Sequence, residues 1–479
     1  MESGMNRRGL LKAGAAFSVM GASQVFTAIP ALADFAAGPT LRRNASTMAA
    51  NDPILRGYRR AILAMRALPN NNPCSWFYQA AIHGTTDPSN LPAWNTCHFN
   101  NAQWFWAWHR MYLYWFERIV REYSGMYDWA IPYWDWTNVA QRALPAPFRD
   151  SSSPLFEASR SGPANAGTPL STNLATSVNN AMGLVDYYST QNSINNGPHG
   201  SVHVTIGGKM GAVSSAAQDP IFWAHHAQID RIVNLWLAQG GGRSNPIGDS
   251  TWKNKTFIFF DECCQQVQMK GCDVLRAAQQ LSYAYEGEPP QVNQYCPLRW
   301  NVALADVAVL SQSRASLILG PAPARVPLIP REGLRSVRRL TEIARSGRQN
   351  LALRLGSIEA DTQPGITWEV HVGPRGFAPD SRSFVGLLAL FAAGLRDRGQ
   401  AFQPAELVLP IGKALRALDP AGLEVAFVPV SGFERGLAAE AVQPRSPVRI
   451  GEVAIIVDQP MPQPPREEQE RLRKQAESE

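Results

Sequence analysis

Charge is scarce in this chain. Of 479 residues, 18% are Asp, Glu, Lys or Arg, and 45 basic against 39 acidic residues leave a formal net charge of +6. The basic residues are spread out and form no phosphate-binding stripe, which argues against a nucleic-acid partner. Hydrophobic residues make up 45%, too many for a disordered chain and enough for a sizeable core in two or three domains. No stretch offers the roughly 20 strongly apolar residues that a membrane span needs, so no stable membrane insertion is expected. Paired CxxC knuckles of a zinc ribbon are absent, as is any internal repeat. Glutamate is missing altogether from Ala158 to Asp261, and that gap matters below.

Aromatics, in contrast, are plentiful, and many of the 14 Trp fall between residues 76 and 136. At the N-terminus Arg7 and Arg8 precede Leu10, Leu11 and Lys12, a mild apolar stretch runs to Leu32, and Ala31-Leu32-Ala33 supplies small residues at a cleavage site. This reads as a twin-arginine signal over 1–33, implying the twin-arginine export machinery as a partner and a periplasmic or secreted destination. Six cysteines suit that oxidising compartment and are expected in disulfides, with the adjacent Cys263 and Cys264 not bonded to each other.

The first 240 residues read as mostly helical. Asp52-Pro53 opens one helix, residues 75–83 form a shorter one ending at Gly84, an aromatic helix runs from about Ala102 to Tyr123, and Asp219-Pro220 starts another reaching about Ala238. Residues 145–196, rich in Ser, Asn, Pro and Gly, read as irregular surface structure. After Tyr285 the texture changes to Pro-rich linker, and from Ser336 short β-type runs alternate with turns: LALRL, TWEVHVG, SFVGLLAL, LEVAFVPV and VRIGEVAIIV. The expected architecture is a mainly α catalytic domain over 34–285, a linker over 286–335, a β-sandwich-like domain over 336–458, and a mobile tail over 459–479.

Seven of the eight His lie between residues 83 and 226, in two groups. His83, His98 and His109 form the first; His199 and His203, four apart and so on one helical face, are joined by the pair His225-His226. Either member of that pair could supply the third nitrogen. Two sets of three imidazoles make two facing metal sites. Di-iron centres bring carboxylates and Glu-x-x-His pairs, and a hydrolytic zinc site brings a carboxylate base. The Glu-free stretch supplies neither. Imidazole-only ligation in an aromatic pocket points to a copper pair that binds dioxygen.

The segments WAWHRMYLYWFERI around His109 and DPIFWAHHAQIDRIVNLW around His226 resemble the two copper motifs of the tyrosinase and polyphenol oxidase family, over roughly residues 50–240. The resemblance implies a helical bundle with two copper ions in a type 3 centre, His83, His98 and His109 on the A side and His199, His203 and His226 on the B side. His225 is then a group behind the ligands or beside the substrate. By the same resemblance Cys97, next to His98, either forms a Cys-His thioether or bridges to Cys74. The β-rich half is similar to the C-terminal domain of plant-type polyphenol oxidases, which can cover the copper pocket, with His371 an ordinary strand residue.

The implied activity is oxidation of o-diphenols to o-quinones by dioxygen, with phenolic and catecholic small molecules as substrates. Trp104, Phe105, Trp108 and Phe222 are candidate pocket walls, and Asp230 either orients a ligand or joins an ion pair. Family members that hydroxylate monophenols carry an Asn after the first B-side His, and a Glu upstream. Here the first position is Gly200 and the second has no counterpart, so monophenol hydroxylation is expected to be weak. Val213, where some relatives carry a bulky gate, is expected to leave access open. An o-aminophenol oxidase on the same metals is the alternative, and a haemocyanin-like oxygen carrier a more distant one.

Overall fold

A computed structural model describes residues 39–97, 103–289, 294–297, 308–313, 316–330, 337–347, 349–392, 404–416, 423–434 and 443–478. The twin-arginine segment and His98 lie outside these residues.

The N-terminal domain is built from β1 (Thr40–Arg42) and helices α1 (Pro53–Arg66), α2 (Trp76–His83), α3 (Phe105–Ser124), α4 (Asn173–Ala181), α5 (Tyr187–Ile194), α6 (Gly200–Ile206) and α7 (Ile221–Ala238). The sequence signals act as expected at the helix starts. The Asp52 carboxylate accepts from the Ile54 N–H at 2.9 Å ahead of Pro53, and the Ser75 hydroxyl accepts from the Tyr78 N–H at 3.1 Å. Before α7, the buried Asp219 accepts from the Ile221 N–H while Arg160 grips both its oxygens at 2.7 and 2.8 Å. Gly125 closes α3 in the left-handed conformation at φ +67°.

A hairpin, β2 (Thr256–Phe260) with β3 (Gln266–Lys270), follows α7, and β4 (Tyr283–Tyr285) returns to pair in parallel with β1. Cys74 bonds to Cys264 and Cys272 to Cys296. The Cys74–Cys97 bridge, one of the two alternatives for Cys97, is therefore not formed. The bend at Cys264 brings that residue, rather than Cys97, against the start of α2, and Cys97 stays buried outside both disulfides.

Among the described residues, nine strands make the C-terminal domain: β5 (Val309–Gln312), β6 (Leu317–Leu319), β7 (Ala324–Pro330), β8 (Asn350–Glu359), β9 (Thr367–Pro374), β10 (Phe384–Leu388), β11 (Ala405–Pro410), β12 (Leu423–Val430) and β13 (Val448–Asp458), with α8 (Val337–Ser346) between β7 and β8. Their order is β10-β9-β12-β7-β5-β13-β8-β11, with β6 beside β13, in a nearly closed antiparallel sheet. All five β-type runs of the sequence are strands. Three more strands come from the segment that reads as linker, because β7 gains pairing with β12 and β5 despite its prolines. The tail beyond Gln459 likewise carries a helix, α9 (Arg466–Ser478), with Leu472 buried.

Strand alternation divides β9 between two jobs. Trp368, Val370 and Val372 fill the sheet's own core, while Glu369 and His371 point the other way. Glu369 accepts from the Asn173 side chain of α4 at 2.7 Å, and His371 lies between Glu369 and Ser383, away from the other histidines. At the far end of the seam the Asp458 carboxylate accepts from the Val185 and Asp186 N–H groups at 2.7 and 3.3 Å.

Burial and the neighbouring Asp186 push the Asp458 carboxyl up to about 7, against the pull of those two N–H groups and of Arg243. A carboxyl that binds its proton more tightly in the docked arrangement than in water stabilises docking most below the ordinary carboxylate range. That contribution is lost as pH rises from there through about 7. The denaturation midpoint of the intact chain relative to Asp458→Asn is expected to fall between pH 5 and pH 8. A difference that stays flat would contradict this account of the seam.

Candidate metal centre

Five of the six expected metal-binding histidines are described, and all five are buried. His83 ends α2, His109 sits in the first turns of α3, and His226 is in α7. His199 closes a widened turn, Asn195–His199, whose Gly197 leaves helical geometry at φ −117°, ψ −109°, and His203 follows in α6. The kink does not separate His199 from His203, whose rings are 4.6 Å apart.

Four of the rings are fixed through Nδ1. His83 meets the Val213 carbonyl at 3.1 Å, His109 the Phe105 carbonyl at 2.7 Å, His199 the Asn195 carbonyl at 3.2 Å, and His203 the Met210 carbonyl at 2.8 Å. A carbonyl only accepts, so Nδ1 carries the proton and Nε2 the lone pair, the tautomer a metal ligand needs. Gly84 is required beside His83, because a Cβ there would lie 2.6 Å from the Val213 carbonyl oxygen. Burial, and then the neighbouring His199, hold His203 and His225 well below the usual imidazole range. Burial, then His109 and His199, do the same for His226. These three rings are therefore neutral at physiological pH.

The donor nitrogens gather in two overlapping groups, each with all members within 4.8 Å of one another: His83, His109 and His226, and His199, His203, His225 and His226. His226 belongs to both, its ring stacked on His109 at 4.2 Å and its Nε2 3.3 Å from that of His203. Two imidazole nitrogens bound at about 2.0–2.1 Å to one tetrahedral ion stand about 3.3 Å apart. The donor set, its neutrality and this spacing fit a pair of late first-row metal ions, and nitrogen-only ligation suits copper.

Phe105 stands 4.7 Å from both His109 and His199, and Phe222 lies 4.2 Å from His226 and 4.8 Å from His83. Trp108 packs 4.8 Å from His109. The Trp104 indole N–H donates to the Trp252 carbonyl, and its ring meets Phe257. Val213 lies behind His83 as its carbonyl partner. One residue at the site has no signal in the sequence. Phe391, just past β10, stacks on His203 at 3.9 Å and 13° and faces His199 at 5.8 Å. The chain leading to it crosses the His199 turn, where the Ala389 N–H donates to the Asn196 carbonyl at 2.6 Å. Gly200 allows that crossing, since a Cβ there would collide with the Ala389 carbonyl.

Behind the histidines, a buried ion network ties α3 to α7. Asp230 accepts from Arg110 at 2.6 Å, from Arg42 at 3.4 Å, and from the hydroxyls of Tyr283 and Tyr285 at 2.5 and 2.8 Å; Arg42 also reaches Glu117 at 2.9 Å. Burial pulls the Asp230 carboxyl up, but Arg110 and Arg42 outweigh it and hold it below the ordinary range. Asp230 is thus an ion-pair residue, one turn from His226 and across from the neighbour of His109. Arg231 makes a separate, looser pair with Asp135 at 3.5 Å.

Residues 73–183 and 165–239 match the family described as the common central domain of tyrosinase, and 247–297 match the polyphenol oxidase middle domain. A tyrosinase from Hahella sp. is 33% identical over 338 residues, 58% of this chain and 70% of that protein. A chloroplastic polyphenol oxidase from Malus domestica is 28% identical over 69% of this chain and 65% of its own length. For the latent form from Prunus armeniaca the values are 29%, 51% and 48%, so the chain spans about half the length of that relative. Among solved structures, latent apple tyrosinase superposes with a TM-score of 0.62 at 22% identity, covering 91% of this chain and all of that one. A latent aurone synthase gives 0.60 at 21%, covering 89% and 90%. These likenesses establish the two-domain fold.

Removing Asp230 leaves two buried guanidinium groups without their shared carboxylate, at a cost of about 3–5 kcal/mol. Asp230→Ala is expected to lose that much stability in a denaturant titration, and Arg231→Ala less than about 1 kcal/mol. Equal losses would contradict the assignment.

Proposed function

The chain belongs to the tyrosinase family, and on that premise we propose that it is a copper-dependent polyphenol oxidase that uses dioxygen to oxidise o-diphenols to o-quinones. The observation that carries the proposal is the convergence of two groups of buried imidazoles on His226. His83, His98 and His109 would hold one copper ion, and His199, His203 and His226 the other. When bound, the copper pair supplies the dioxygen-binding and electron-accepting chemistry.

The protein's own part is placement and exclusion of water. Backbone carbonyls of Phe105, Asn195, Met210 and Val213 fix four ring orientations. Phe105 and Phe222 set aromatic rings against the histidines, and a catechol ring would be held among these rings by stacking. His203 offers the face for that stacking, and Phe391 now covers it. The C-terminal domain therefore holds the chain latent, with Phe391 in the position of a substrate ring. Gly200 presents no side-chain amide to position a water for removing a monophenol's proton, which favours o-diphenols over monophenols. Arg7 and Arg8 support export by the twin-arginine route, a path that carries folded protein and suits metal loading before transport.

Oxygen uptake with catechol tests the reading on copper-loaded, full-length protein. Phe391→Ala is expected to raise kcat/KM over the unaltered chain by about tenfold, the equivalent of losing one aromatic stack worth up to about 1.5 kcal/mol. Tyrosine hydroxylation is expected to stay slower than catechol oxidation in both proteins. Absence of catechol-dependent uptake from both would overturn the proposal.

A further inference from the structure

His225 has no role in a six-histidine centre, yet it is fully buried and neither ring nitrogen has a hydrogen-bond partner among the described residues. A buried polar atom left unsatisfied costs about 1–3 kcal/mol, so two on one ring call for an explanation. The ring lies parallel to His199 at 5.4 Å and 10°, and it is 4.9 Å from His203 and 5.2 Å from His226. Trp136 closes its surroundings at 5.7 Å. Its donor nitrogen falls within 4.8 Å of those of the other three.

Resting on the metal-site reading above, we infer that His225 is a fourth imidazole arm of the B side: while the A side is empty, a single late first-row divalent ion is held by His199, His203, His225 and His226 together. Consecutive residues on a helix project about 100° apart, so His225 and His226 reach one cluster only where it wraps the edge of α7. His226 is also stacked on His109, whereas among the described residues the metal-site rings that His225 approaches are those of the B side. While the A side is empty, the B side thus has four imidazoles within reach. Four imidazole nitrogens complete a tetrahedral shell for cobalt or zinc. The first ion to arrive seats on this four-nitrogen B side, and the A side fills second.

Cobalt(II) titration of the metal-free, full-length protein under reducing, anaerobic conditions tests this without reference to turnover. The first equivalent is expected to give the intense visible bands of four-coordinate cobalt. In His225→Cys the same equivalent is expected to add a thiolate-to-cobalt band in the near ultraviolet, because residue 225 touches the ion. His225→Gln, similar in volume and polar but a poor ligand, is expected to weaken the first binding step by at least about tenfold. Far-ultraviolet circular dichroism identifies which variants are folded, and either folded variant decides the question. Cobalt bound by His225→Cys without the sulfur band, or by His225→Gln with unchanged affinity, would overturn the role of His225 and leave the six-histidine reading intact. A parent chain that takes up no cobalt would overturn both.

Discussion

Imidazoles crowded into a site closed to water repel one another once protonated, so a chain that gathers them must keep them neutral and aim each one. Burial supplies the first condition at His203, His225 and His226. Backbone carbonyls supply the second for His83, His109, His199 and His203 by taking the Nδ1 proton. Much of the surrounding structure serves this arrangement. The kinked turn at Gly197 sets His199, Gly84 makes room for the carbonyl behind His83, and the Arg110–Asp230 pair fixes the helices that carry His109 and His226. That pair lies in a network in which Arg42, Arg110 and Arg121 share the carboxylates of Asp230 and Glu117.

The C-terminal domain is joined to this centre on its B side. Several of its contacts fall on the turns that bear His199 and His203: Ala389 on Asn196, Thr367 on Ser201, and Gly432, at φ +83°, against Thr205. Phe391 sits at the point where these contacts meet the histidines. Gly200 lets the covering segment pass close to the turn that bears His199, since a Cβ there would meet the Ala389 carbonyl.

Sequence patterns made the helical half legible. Asp52-Pro53, Ser75 and Asp219 are local capping signals, and each marks a helix in the structure. The histidine spacing and the two motifs pointed to the residues that converge. Relations between distant segments were not legible. Cys74 pairs with a cysteine 190 residues away rather than with the nearer Cys97, and nothing in local spacing distinguishes the two. β7 reads as linker because its prolines break the strand pattern, and only its partners β5 and β12 make it a strand. Phe391 lies in an apolar run indistinguishable from strand core, and its meeting with His203 follows from how the domains dock. Asp230 and Arg231 were equivalent by spacing, and only the fold shows which one faces Arg110.

The central claim is a two-metal, all-imidazole centre, and copper K-edge X-ray absorption on copper-loaded, full-length protein tests it most directly. The account predicts two copper ions per chain, a coordination shell fitted by imidazole nitrogen, and a second metal scattering close by. One copper per chain, or a shell that needs carboxylate-type ligation and shows no metal neighbour, would contradict it.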